Sequence, residues 1–172
     1  MTPPVKVRPA LPRDVPAIHG LVEPYAAERI LLAKDKVAYY EAVQEFLVAE
    51  IDLGDDGTRV IGCGALHVMW SDLAEVRTLA VSEGHRGTGA GHALLSALVD
   101  RARALGLARV FCLTFEVRFF AAHGFVPIEG ALVDPDVYAE LLRSHDDGVA
   151  EFLDLARVKP NTLGNTRMLL TL

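Results

Sequence analysis

At 172 residues, 51% hydrophobic and 23% charged, the chain is long enough to bury one core and short for two ordinary domains, so one domain over residues 1–172 is expected. Its net charge of −6 excludes nonspecific nucleic-acid binding, because no basic run offsets the acid excess and an anionic ligand must find a local basic cluster. Without a charged-then-apolar leader or an apolar run near the roughly 20 residues that cross a bilayer, the expectation is a soluble, cytoplasmic protein with no membrane partner.

Val5 to Arg8 reads as a first strand. Pro12-Arg13-Asp14 then opens a helix in which Val15, Ile18, Leu21 and Val22 keep helical spacing. A second helical stretch carries Val37, Tyr40, Val43 and Leu47 on one face, before Phe46 to Ile51 turns strand-like. Gly54-Asp55-Asp56-Gly57 signals a hairpin into a strand over Val60 to Val68, and Ser71-Asp72 turns the chain into Glu75 to Val81. These three strands form an antiparallel meander. The helix beginning near Ala90 places Leu94, Ala97, Leu98, Arg101 or Ala102, and Leu105 on one stripe and stops at Gly106. Arg109 to Phe115 reads as a buried strand, Val117 to His123 as a short helix and Phe125 to Ile128 as another strand. Asp134 to Arg143 and Asp147 to Ala156 read as helices, Lys159 to Asn165 as a loop and Thr166 to Leu172 as a closing strand.

The most informative stretch is Arg86-Gly87-Thr88-Gly89-Ala90-Gly91, between a strand and an amphipathic helix. Glycines let backbone N–H groups close on an anion, and the helix N-terminus adds partial positive charge. A P-loop is excluded: Gly84 and Gly89 have its separation, but Ala90 and Gly91 stand where Lys and a hydroxyl are required. A dinucleotide fingerprint is weak, since His92 or Leu94 falls at its third glycine, although Glu116 ends the next strand at a distance suited to a ribose.

Other reactive side chains have plain readings. Cys63 and Cys112 lie in apolar strands without a neighbouring base, as buried reduced thiols do. No histidine spacing marks a metal site. Ser144-His145-Asp146 are adjacent, so their side chains cannot form one relay, and a polar loop between helices is expected.

The pattern Arg86-x-x-Gly89-x-Gly91 after Leu79-Ala80-Val81 resembles the acetyl-CoA pyrophosphate loop of the GNAT acetyltransferase superfamily, and the order of elements matches from about Val5 to the C-terminus. Within it the chain is similar to the acetyltransferase domain of N-acetylglutamate synthases. The likeness is carried by Ile30-Leu31-Leu32-Ala33-Lys34, Glu75-Val76-Arg77-Thr78-Leu79-Ala80-Val81, Phe111-Cys112-Leu113-Thr114, Phe119 through Phe125, and Tyr138 with Arg143-Ser144. It implies an α/β (α+β) fold with a mixed, mostly antiparallel sheet flanked by helices. The implied activity is acetyl transfer from acetyl-CoA, without a metal, to the α-amine of L-glutamate or L-glutamine, N-acetylglutamate being the first product of arginine biosynthesis. The amino-acid-kinase domain of longer members has no counterpart here, and a homo-oligomer is compatible with the family.

The same resemblance places the parts. Main chain at Leu79, Ala80 and Val81 would hold pantetheine and an oxyanion, and Arg86, Gly87, Thr88, Gly89, Ala90 and Gly91 would hold the pyrophosphate. Glu75 stands where several members keep a general base, although an arbitrary strand-end glutamate would sit in a surface ion pair. Phe120 occupies the position of the tyrosine acid of many members, which leaves Thr114 on the preceding strand as the hydroxyl donor. Lys34, Arg77, Arg143 and Ser144 would meet the acceptor's carboxylates; Lys34 stands where members commonly have Arg, a point charge in place of a bidentate grip. Alternation puts Glu75 and Arg77 on one sheet face. Rivals are an acetyltransferase for a protein N-terminus, polyamine or drug amine, whose pocket would be acidic, and a noncatalytic acyl-CoA sensor.

Overall fold

The structure is a computed structural model that describes residues 3–130, 132–153 and 164–172. The expected helix end at Ala156 and most of the loop from Lys159 lie outside the described residues.

Strand β1 (Val5–Pro9) leads through a turn into α1 (Val15–Ala27) and α2 (Lys36–Glu41), followed by β2 (Phe46–Asp52), β3 (Thr58–Trp70) and β4 (Leu73–Val81). Helix α3 (Ala90–Ala104), β5 (Arg109–Thr114), α4 (Val117–Ala121), β6 (Val126–Pro127), α5 (Pro135–Leu141), α6 (Asp147–Phe152) and β7 (Thr166–Thr171) complete the chain. The sheet order is β1-β2-β3-β4-β5-β7-β6, antiparallel except for the β4–β5 pair. This is the mixed, mostly antiparallel sheet that the resemblance implies.

Each face of the sheet has its own apolar layer. Helix α3 buries Ala90, Leu94, Leu95, Leu98, Val99 and Ala102 against Ile61, Ala74, Val76, Val110 and Cys112. The helix breaks its own stripe at the C-terminal turn: Leu105 caps it and is 55% exposed, where the spacing had put it in the core. On the other face α1 packs Val15, Ile18 and Val22 with Tyr39, Val48 and Cys63, while Leu73, Phe111, Leu141, Val149 and Phe152 close the far end. Helix α2 also corrects the sequence reading. It ends at Glu41, so its four-residue periodicity never reaches Val43, and the buried aromatic is Tyr39 (2% exposed), with Tyr40 (48%) and Val37 facing out.

Two features of β4 set up the site. Its ladder with β5 runs only through Leu73, Ala74 and Glu75, after which the two strands part and Val76 to Val81 face β5 without ladder partners. Opposite β3, Cys63 pairs with Ala80 and Ala65 with Arg77, so Thr78 and Leu79 face Gly64 alone. That extra residue is a bulge, and Thr78 carries it at φ 57°, a left-handed conformation costly for a β-branched residue.

Candidate functional site

The glycine loop joins the end of β4 to α3. Gly87 and Gly89 take φ of 80° and 88°, conformations that L side chains rarely adopt, and Gly89 is the N-cap of α3. Among the described residues the Gly87 and Gly89 N–H groups donate to no backbone carbonyl, and the first N–H groups of α3, from Ala90 and Gly91, have no carbonyl a turn behind them. The Thr88 hydroxyl and N–H both donate to the His85 carbonyl, at 2.7 and 3.3 Å, so Thr88 braces the loop and leaves the open donors to its neighbours. The outcome is a ring of open donors at a helix N-terminus, which fits a pyrophosphate.

Arg86 is held beside this ring by a residue the sequence did not reveal. Its Nη2 donates to the Tyr25 hydroxyl at 3.1 Å with the guanidinium 5.4 Å from the ring centroid, and the Tyr25 hydroxyl donates to the Val81 carbonyl at 2.6 Å. The Tyr25 carbonyl accepts from Ile30 and Leu31, which tethers the chain leading to Lys34. Tyr25 thus ties the glycine loop to a second site, and only a signal of tertiary contact could have found it.

That second site is a cleft where β4 and β5 part, lined by Lys34, Glu75, Arg77, Thr78, Leu113, Gly148, Glu151 and others. Arg77 is its hub. Nε and Nη2 donate to Glu75 Oε2 at 3.1 and 2.7 Å, and Nη1 donates to both Asp146 oxygens at 2.8 and 2.9 Å. The Arg77 side chain is only 8% exposed. Burial opposes the charge of Arg77, but its two carboxylates outweigh burial and raise its pKa. Burial likewise pushes Asp146 upward, yet Arg77 and the Val149 N–H hold it below the ordinary carboxylate range. Glu75 is buried, and Oε1 accepts no hydrogen bond from the described residues. Glycine is required at 148, since a Cβ there would stand 2.5 Å from Arg77 Nη2. Only a side chain of hydrogen lets α6 seat on the guanidinium.

Lys34 and Glu151 stand apart from this network. Lys34 forms no ion pair or hydrogen bond among the described residues, and burial, then the nearby Arg77 charge, lower its pKa. Glu151 has no such partner either; burial, then the charge of Glu75, push its carboxyl up to about 8.

The structure therefore brings Lys34, Glu75 and Arg77 together and leaves other expected residues outside. Arg143 is 74% exposed, paired with Glu140 at 2.7 Å and absent from the cleft lining. The Ser144 hydroxyl accepts from the Asp146 N–H at 3.2 Å, which orders the turn into α6. Thr114 lies on the face opposite Glu75, because Glu75 pairs with Phe111 and Thr114 is three residues on, and its Oγ1 accepts from the Glu116 N–H at 2.8 Å. Asp146, expected in a polar loop, caps α6 and grips Arg77, and Glu151 carries no signal in the sequence. Cys63 and Cys112 are fully buried, burial pushing Cys63 up to about 12 and Cys112 upward too, so neither is an available thiolate.

Bulged central strand, parting β4 and β5, glycine cradle and helix together define an acyl-CoA-dependent transferase fold. The family model described as Acetyltransferase (GNAT) family matches residues 17–125. A Mycobacterium tuberculosis amino-acid acetyltransferase is 58% identical over 166 residues, 96% of this chain and 94% of that protein. A Neisseria meningitidis amino-acid acetyltransferase is 32% identical over 123 residues, 70% of this chain but 27% of that longer protein. Among solved structures, a Mycobacterium tuberculosis protein in complex with CoA and NLQ has a TM-score of 0.92 at 58% identity, covering 97% of this chain and 99% of that one. N-acetylglutamate synthase from Neisseria gonorrhoeae, complexed with coenzyme A and N-acetyl-glutamate, shares the fold at a TM-score of 0.74 and 24% identity, over 100% of this chain and 36% of that one. The chain belongs to the GNAT acetyltransferase family and is an N-acetyltransferase.

Proposed function

We propose that this N-acetyltransferase moves the acetyl group of acetyl-CoA to the α-amine of L-glutamate or L-glutamine, with N-acetylglutamate for arginine biosynthesis as the product from glutamate. The observation that carries the acceptor class is Lys34: an ammonium without an ion pair among the described residues, in one cleft with the carboxylate of Glu75. An amino-acid zwitterion brings the complementary charges. A polyamine would meet Lys34 and Arg77 as like charges. Names of the similar proteins agree, being amino-acid acetyltransferases and an N-acetylglutamate synthase.

In this reading the Gly87, Gly89, Ala90 and Gly91 N–H groups and Arg86 hold the pyrophosphate, and Thr88, bonded to His85 through both N–H and hydroxyl, keeps the loop in shape. The open edge at Leu79, Ala80 and Val81 pairs with pantetheine and offers an N–H to the oxyanion. Lys34 meets the α-carboxylate. Glu75 Oε1 takes a proton from the acceptor ammonium, and Arg77 fixes that carboxylate in place. Acetyl then passes directly, since neither thiol is available to carry it. CoA release from acetyl-CoA across a panel of free amino acids and polyamines tests this. Glutamate or glutamine should lead the panel; a polyamine leading it, or no turnover with any amine, would overturn the assignment.

A further inference from the structure

We infer that Glu151 is the acid of the reaction, donating its proton to the sulfur of the leaving CoA thiolate while Glu75 takes the proton of the acceptor's ammonium. This rests on the transfer proposed above and moves the acid from Thr114, where the sequence reading puts it, to Glu151. The tyrosine position holds Phe120, buried in the α3-side core, and the Thr114 hydroxyl is on the opposite sheet face from Glu75. Glu151 instead lines the same cleft as Glu75, Thr78 and Leu113, where β4 and β5 part.

The surroundings of the two carboxyls split their roles. Glu75 accepts two N–H donors from Arg77 on Oε2, at 3.1 and 2.7 Å. Glu151 has no ion pair or hydrogen bond among the described residues, and the charges facing it are mixed: Glu75 and Arg77 from β4, Lys34 from the chain before α2, and Asp147 on its own helix. Two carboxyls in one cleft, one bound to a guanidinium and one without such a partner among the described residues, suit the roles of base and acid. Burial and the Glu75 charge, which push Glu151 up to about 8, agree with this and bring it close to an ordinary thiol, about 8.5.

The step balances. The ammonium gives one proton to Glu75, nitrogen bonds to the carbonyl carbon, and the carbon–sulfur bond breaks with its electron pair on sulfur. Glu151 protonates that sulfur and CoA leaves as the thiol. The second nitrogen proton, acidic once nitrogen is acylated, restores Glu151, and the proton on Glu75 passes to solvent, one per turnover.

The test compares wild type with Glu151→Gln and Glu151→Asp. In the ligand-free wild type, the infrared carbonyl band of a protonated carboxyl should be present near neutral pH and vanish through about pH 8, and it should be missing in Glu151→Gln. With glutamate and acetyl-CoA, Glu151→Gln should lower kcat about 100-fold and lose the alkaline limb of the wild-type profile, while Glu151→Asp keeps that limb. A wild-type protein with no such band, or a Glu151→Gln enzyme within about threefold of wild type and with the same limb, overturns the assignment. The infrared titration of wild type needs no variant to fold. Wild type that turns over no amino acid refutes the acceptor proposal; wild type that turns over glutamate, with an unchanged Glu151→Gln enzyme, refutes only the acid.

Discussion

The glycine loop and the acceptor cleft are built on opposite principles. The loop is made of backbone: two glycines at positive φ, Gly87 and Gly89, before a helix N-terminus, whose donors exist whatever the neighbouring side chains are. The cleft is made of side chains from separate elements that meet at one guanidinium, Arg77, with Glu75 two residues away in sequence and Asp146 69 residues away. A backbone site tolerates the loss of any one side chain. A hub site fails at its hub.

The largest expected effect follows from that. Arg77→Ala leaves two carboxylates, Glu75 buried and Asp146 half-buried, without their shared cation, and breaking such a buried pair costs about 3–5 kcal/mol. Thermal denaturation should show a lower Tm, by an amount that depends on pH. In the folded protein Asp146 is held below the ordinary carboxylate range, so its stabilisation is complete above the unfolded pKa and is lost as pH falls through the folded one. The deficit of the variant should therefore be largest at neutral pH and shrink in acid; a deficit that is constant with pH would mean that Arg77 acts only by packing. Gly148→Ala sharpens the same point, because its methyl would displace the guanidinium without removing it.

Next in size is Glu75→Gln, which keeps the shape and one acceptor for Arg77 but removes the proton acceptor. Steady-state kinetics should show kcat reduced by about 100-fold or more, with acetyl-CoA affinity unchanged. The loss should lessen at high pH, where more of the acceptor is already neutral.

A smaller loss is expected in the loop. Arg86→Ala removes one charged contact while the N–H ring persists, so acetyl-CoA affinity should weaken by about tenfold in calorimetry and the acceptor KM should not move. Gly89→Val is a poorer probe than its sequence position suggests. At φ 88° a β-branched residue strains the backbone, and lost affinity would not be separable from a distorted loop.

The same contrast explains what was legible in the sequence. The strands, α1, the hairpin and the glycine loop were readable because each is encoded by adjacent residues: alternation, helical spacing, Asp-Gly and a Gly-x-Gly before an apolar helix. Glu75 and Arg77 were placed on one face by alternation alone, and the structure joins them. The misjudged positions depend on contacts at long range. Whether Tyr39 or Tyr40 turns inward depends on where α2 stops, and the union of Asp146 with Arg77 depends on how α6 docks on Gly148. Glu151 is chemically distinctive only once it is buried near Glu75, a fact with no trace in its neighbours in the chain.

Arg143 gives the smallest effect, and set beside Lys34 the most discriminating one. Both were matched to the synthase-like segments as carboxylate contacts, and both carry one positive charge. Lys34 lines the cleft without an ion pair among the described residues, whereas Arg143 is exposed, outside the cleft lining and bound to Glu140 one helical turn away. Exposed pairs of that kind contribute at most about 1 kcal/mol, so Arg143→Ala should leave stability and both acceptor KM values within about twofold of wild type. Lys34→Met should raise the KM for glutamate and glutamine about tenfold, since each has an α-carboxylate to lose. Were Arg143→Ala instead to raise the glutamate KM alone, the end of α5 would have to move onto the cleft when acceptor binds, and the boundary between hub and surface would need to be redrawn there.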